Sequence, residues 1–135
     1  MSRYRNIHCM IWNDDKFQEL WAKRWETPSR VPTSYNDPYW RLFGSPYGSE
    51  QWERERNCLV LRHRFSKIKK RIYPSIVNKF GQKCAACGST KGLVLDHVIP
   101  ICYGGTNDEF NFQPLCMKCN TRKGGKLPIP PGVVR

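Results

Sequence analysis

The sequence predicts a small α+β protein: a helical, basic N-terminal region ahead of a turn-rich module built on short β-segments and paired cysteines. Three observations predict it. Ser49 to Ile72 contains neither Pro nor Gly and spaces Cys58, Leu61, Phe65, Ile68 and Ile72 as an amphipathic helix requires. The run Leu93-Val-Leu-Asp96-His97-Val-Ile-Pro100 is rich in β-formers. Four of the seven cysteines fall into two close pairs, Cys84-Ala-Ala-Cys87 and Cys116-Met-Lys-Cys119.

The chain has 135 residues, 39% of them hydrophobic and 13% aromatic, which allows one domain with a modest core. A chain of this length buries only about two-thirds of its unfolded surface, so an added staple matters. It has no run of 18 apolar residues, and its opening lacks the apolar stretch of a signal peptide. Membrane insertion and secretion are therefore disfavoured, and a cytoplasmic location is expected.

Residues 1–48 form an aromatic-rich region with no assigned role; all five Trp lie within the first 52 residues. Phe17, Leu20, Trp21 and Trp25 share a helical stripe behind Asp14 and Asp15, acidic residues suited to a helix start. Such a stripe reads as packing surface. Four Pro and two Gly across residues 27–49 predict an irregular connection. The basic amphipathic helix follows over 49–73. Pro74 is expected to end it, with a short second helix over Pro74–Phe80 closed by Gly81. Residues 74–126 make the cysteine module. The Pro-rich tail, 127–135, is expected to be irregular and to drape over the surface.

Lys and Arg number 23 against 11 Asp and Glu, a formal charge of +12. Residues 1–53 are balanced, whereas residues 54–83 hold ten basic side chains and one acidic. The densest run is Arg62-His-Arg64-Phe-Ser-Lys67-Ile-Lys69-Lys70-Arg71. Alone, it reads equally as a solvated helix face or a polyanion surface. Its place just ahead of the cysteine module favours nucleic acid, with binding that weakens steeply as salt rises.

An odd cysteine count in a chain with no secretion signal argues against a disulfide framework. Each Cys-x-x-Cys pair turns both sulfurs toward one point. Together Cys84, Cys87, Cys116 and Cys119 supply the four-thiolate set that Zn²⁺ prefers, a closed structural site without an open position for chemistry. Cys9, Cys58 and Cys102 remain and read as small buried hydrophobes.

The 28 residues between the pairs exceed a simple zinc-ribbon spacing. They hold Asp96-His97 in the β-segment, the loop Tyr103-Gly-Gly-Thr-Asn-Asp108, then Asn111-Phe-Gln-Pro-Leu-Cys116. After the second pair comes Cys119-Asn120-Thr-Arg122-Lys123-Gly124, the length of a short helix stopped by glycines.

This order resembles the HNH endonucleases, whose core (the His-Me finger) is a β-hairpin and helix around a metal, the ββα-metal motif. The resemblance covers about residues 72–126. It implies that Asp96-His97 is the pair of metal ligand and general base, that Asn111 is the middle Asn, and that Asn120 stands where many members have a final His. The result is an H-N-N variant similar to phage and intron-type nucleases, in which Asp and Asn hold the metal. His97 is then the general base, Asn111 braces the loop around it, and Asp96 and Asn120 offer oxygens to Mg²⁺ or Mn²⁺. Arg62, Arg64, Lys67, Lys69, Lys70, Arg71, Lys118, Arg122 and Lys123 are the candidate DNA contacts, although Lys118 reads equally as a solvated surface charge.

The opening Tyr4-Arg-Asn-Ile-His8, with Ile11-Trp12-Asn13-Asp14 and Lys16-Phe17, resembles the start of phage replication initiators, which points to a phage or prophage origin in a bacterial cell. The expected activity is metal-dependent DNA cleavage, by nicking or double-strand breaks, with a homodimer or a phage protein as further candidate partner. The alternatives are a non-catalytic zinc-stabilised nucleic-acid-binding protein with a degenerate site, and a protein-interaction zinc ribbon.

Overall fold

The computed structural model describes residues 3–4, 9–30 and 47–130. The middle of the irregular connection (31–46), most of the phage-like opening before residue 9 and the last five residues lie outside the described residues.

The N-terminal aromatics fold inward. After the short helix α1 (Cys9–Trp12), Asp14 opens helix α2 (Asp15–Lys23) by accepting the backbone N–H groups of Lys16 at 2.9 Å and Phe17 at 3.1 Å. That satisfies two donors the first helical turn leaves without partners. Trp12 meets Phe17 and Trp21 edge-on, with ring centroids 5.3 and 4.9 Å away. Trp25 follows α2 rather than extending its stripe, and its N–H donates to the Tyr103 carbonyl at 2.9 Å. Ser29 N–H donates to the Cys102 carbonyl at 2.8 Å, so this segment is stitched to the module. Ile11, Trp12 and Phe17 share one buried core with Ile76, Phe80, Val98, Ile99, Tyr103, Phe112 and Leu127. The aromatic segment completes the module's core.

The basic helix, α3 (Glu50–Lys79), is capped by Ser49, whose hydroxyl accepts the Trp52 N–H at 3.1 Å, with Glu50 and Glu53 in its positive first turn. The expected break at Pro74 does not occur; α3 continues through it for 30 residues in all. Proline removes one N–H from the helix ladder, the one that would bond Lys70. Pro74 and Lys70 are both exposed, so water can take the freed carbonyl. Ile76, Val77 and Phe80, just beyond, are buried and hold the last turns in place. The helix ends at Gly81, whose φ of +71° suits a residue without a Cβ.

Strands β2 (Leu93–His97) and β3 (Phe112–Cys116) form an antiparallel hairpin that pairs Asp96 with Gln113 and His97 with Phe112. Its long connection contains two 3₁₀ turns, Ile101–Tyr103 and Glu109–Asn111. Gly105 sits in this connection with no room for a side chain: a Cβ there would lie 1.7 Å from the Ile99 carbonyl oxygen. Helix α4 (Met117–Lys123) leaves directly from β3, while α3 packs against both strands.

The start of the tail corrects the expectation of an irregular surface segment. Leu127–Pro128 (β4) pairs in parallel with Arg3–Tyr4 (β1), and Leu127 and Ile129 are buried. Proline tolerates such an edge position because the pairing there needs no long run of N–H donors. Among the described residues, no helix is long and apolar enough to cross a membrane.

Candidate active site and metal centre

The two cysteine pairs converge. Cys84 and Cys87 lie on the loop after α3, Cys116 ends β3, and Cys119 lies one turn into α4. Their four sulfurs all lie within 4.8 Å of one another, with Cys87 and Cys116 at 3.7 Å. Sulfurs about 2.3 Å from a central zinc would be separated by about 3.8 Å along a tetrahedral edge, so the set fits Zn²⁺. Local backbone shapes the first knuckle: Cys87 N–H points at the Cys84 sulfur at 3.5 Å, and Gly88, at φ +80°, donates to the Cys84 carbonyl. Burial pushes the Cys84 thiol up, but the N–H groups of Cys87, Cys116 and Ala86 outweigh it and bring it down to about 7. This is the one cluster of His, Cys, Asp or Glu suited to a metal among the described residues.

The hairpin carries Asp96 and His97 to the opposite end of β2 from this cluster's Leu93–Cys116 pairing. Asp96 is nearly buried. Its Oδ2 accepts Gln113 Nε2 at 3.0 Å and faces Lys123 Nζ at 3.3 Å. Burial pushes the carboxyl upward, while Lys123 and Gln113 oppose that shift. Both contacts fall on one oxygen, which leaves Oδ1 outside them. Gln113 Oε1 is buried without a partner, a further acceptor oxygen beside the carboxylate.

His97 is held on two sides. Phe65 and Phe112 flank its ring, with centroids 4.6 and 4.8 Å away. Its Nε2 lies 2.8 Å from Asn107 Oδ1, and Asn107 Nδ2 donates to the Leu61 carbonyl of α3 at 2.9 Å. The second bond fixes the amide, so Oδ1 is the atom that faces the ring. An amide oxygen only accepts; Nε2 therefore carries the hydrogen, and Nδ1 keeps its lone pair. Burial lowers the His97 pKa from its usual value and the Lys123 charge adds to that, against the Asn107 hydrogen bond. The neutral imidazole is favoured.

Asn111 is fully buried. Its Oδ1 accepts Ile99 N–H at 2.9 Å, and its Nδ2 donates to the carbonyls of Ile99 and Thr106 at 3.1 and 3.0 Å. One side chain thereby ties both ends of the loop after His97. Asn120 is half-buried on α4, three residues before Lys123; that spacing puts it on the face from which Lys123 reaches Asp96. The oxygen chemistry of Asp96 and Asn120 fits a hard divalent cation.

Arg62, Arg64, Lys67, Lys69, Lys70, Arg71, Lys118 and Arg122 are all exposed. Lys123 is not. Expected at the surface as a phosphate contact, it is fully buried, and its Nζ donates to the His97 carbonyl at 3.0 Å beside Asp96. A helix stripe running Cys116, Cys119, Asn120, Lys123 faces inward, and that spacing is the signal which places it. Asn107 was missed altogether; the sequence offers only its position in a polar loop. Arg62, Phe65, Leu95 and Lys123 line a groove of about 340 Å³ with Asp96 and His97.

Residues 84–126 match the family model described as HNH endonuclease, which supports a nuclease-type module, and the four-cysteine cluster within the match is consistent with a zinc-binding module of that type. No curated protein and no solved structure matches the chain.

Proposed function

We propose that the chain is a metal-dependent endonuclease that hydrolyses DNA phosphodiester bonds to 5′-phosphate and 3′-hydroxyl ends. The observation that carries this reading is the orientation of His97: a neutral imidazole, fixed through Nε2 by Asn107, with Nδ1 left to accept a proton next to a buried carboxylate. A water attacks phosphorus and gives its proton to His97 Nδ1. The bond from phosphorus to the 3′ oxygen breaks, and that oxygen takes a proton from solvent. A divalent cation such as Mg²⁺ or Mn²⁺, held by Asp96 and Asn120, would neutralise charge on the phosphoryl group and on the departing oxygen. Asn111 keeps the loop closed behind His97, and Lys123 holds the His97 carbonyl and the Asp96 carboxylate in one frame. The exposed basic face of α3 holds the phosphate backbone. The cysteine tetrad, with Zn²⁺, staples the hairpin to α4. The phage setting rests on the resemblance at the N-terminus.

Supercoiled plasmid in Mg²⁺ or Mn²⁺ tests the reading. Wild type nicks it, and His97→Ala loses about 10²–10⁴-fold in rate. The Lys123–Asp96 contact favours a second reading, a site already satisfied without a cation that binds DNA and does not cut it. Plasmid left intact by both proteins, while DNA still shifts on a gel, supports that binder and rejects the nuclease.

A further inference from the structure

The groove at Asp96 and His97 does not end there. Phe65 and Leu95 also line a trough of about 410 Å³ between α3 and β2, together with Leu93, Val94, Tyr73 and the pair Lys69 and Lys70. Tyr73 marks its far end, with its hydroxyl donating across to the Leu93 carbonyl at 3.0 Å. The helical rise separates Phe65 from Tyr73 by about 12 Å along α3. At the rise of about 3.4 Å for stacked bases that length takes three to four nucleotides, and an extended strand fits fewer.

The lining chemistry decides the occupant. Paired DNA offers phosphates outside and polar base edges in its grooves, which are read by hydrogen-bonding side chains. Leu93, Val94, Leu95 and Phe65 offer no such groups. Unpaired bases expose flat apolar faces that pack on aliphatic and aromatic walls, while their phosphates seek cations. An apolar wall beside Lys69 and Lys70, continuous with the proposed scissile position, matches that pattern.

We infer that the trough between α3 and β2 binds an unpaired DNA strand, so that the preferred substrate carries a single-stranded segment next to the cleaved phosphate. This rests on the nuclease reading for what happens at His97, but the strand site itself needs no cleavage.

The test measures anisotropy of a labelled twelve-residue oligo(dT) with the full chain, without added divalent ion. It compares wild type, Val94→Asp and Val94→Lys, each checked for zinc content and melting temperature. The aspartate, a negative charge on the trough's wall, repels the polyanionic strand and weakens binding about tenfold or more. The lysine, whose charge attracts the strand and whose alkyl stem keeps an apolar contact, leaves it within about threefold of wild type. Unlabelled single strand displaces the label at least tenfold better than a duplex of equal length. Equal losses in both variants, no loss in either, or displacement by duplex as readily as by single strand overturns the inference. Plasmid nicking that persists alongside such a failure removes the trough alone. Strand binding with no nicking by wild type removes the hydrolytic reading alone.

Discussion

The cysteine tetrad and the Asp96–His97 centre sit on one hairpin and one helix, yet they are built on opposite principles. The tetrad uses four identical ligands from two local Cys-x-x-Cys segments, the first of them shaped by its own backbone. The Asp96–His97 centre is held by unlike side chains from distant segments: Asn107 with Leu61 of α3, Gln113 across the hairpin, and Lys123 from the end of α4. A closed site needs only ligands at the right spacing. The proton transfer proposed for the other site needs each ring and carboxylate aimed, and aiming comes from tertiary contacts.

Breaking the tetrad has the largest expected effect. Structural zinc in small modules contributes about 10 kcal/mol or more of apparent free energy to folding. Cys116→Ser, or zinc removal by a strong chelator, should therefore unfold the hairpin and α4. Circular dichroism and a zinc count per chain check it; a cooperative melt that survives without zinc breaks the comparison.

Next comes the buried ion pair. Lys123→Met leaves the Asp96 carboxylate without its buried cation, and removing one partner of such a pair costs about 3–5 kcal/mol. Adding Asp96→Leu to that variant should restore most of the loss, because the uncompensated charge is gone. Urea unfolding of the three variants measures this. A double variant no more stable than Lys123→Met alone would mean that the pair acts through packing and not through charge.

The same contrast explains what could be read from the sequence. Both cysteine pairs, the Asp-His segment, the amphipathic basic helix and the closing short helix announce themselves by spacing within a few residues. Lys123 did not, because a lysine near a glycine stop ordinarily faces water, and only the inward stripe from Cys116 and Cys119 places it inside. Asn107 is bonded to a carbonyl 46 residues away, a relation that no local pattern carries. Pro74 and the tail failed for a related reason. Local propensity says break and coil, but the buried Ile76, Phe80 and Leu127 hold those segments in regular structure.

Asn107 is where the aiming can be tested most gently. Asn107→Ala removes the bond that sets the His97 tautomer, and outer supports of this kind typically cost about 10–100-fold in activity. The zinc count should stay at wild type, since the tetrad shares none of these contacts. The pH profile sharpens the result. The base proposed at His97 acts only when neutral, and burial sets its folded pKa below the ordinary value of about 6.5. Nicking should therefore rise with pH to a midpoint below 6.5 and then level off. The unfolded chain takes the proton more readily than the folded one, so stability also declines as pH falls from about 6.5 toward that midpoint. The Asn107 hydrogen bond raises the His97 pKa, so its loss should move the midpoint lower still while the plateau drops. A plateau that drops with an unmoved or higher midpoint would mean that Asn107 supports the loop and not the imidazole.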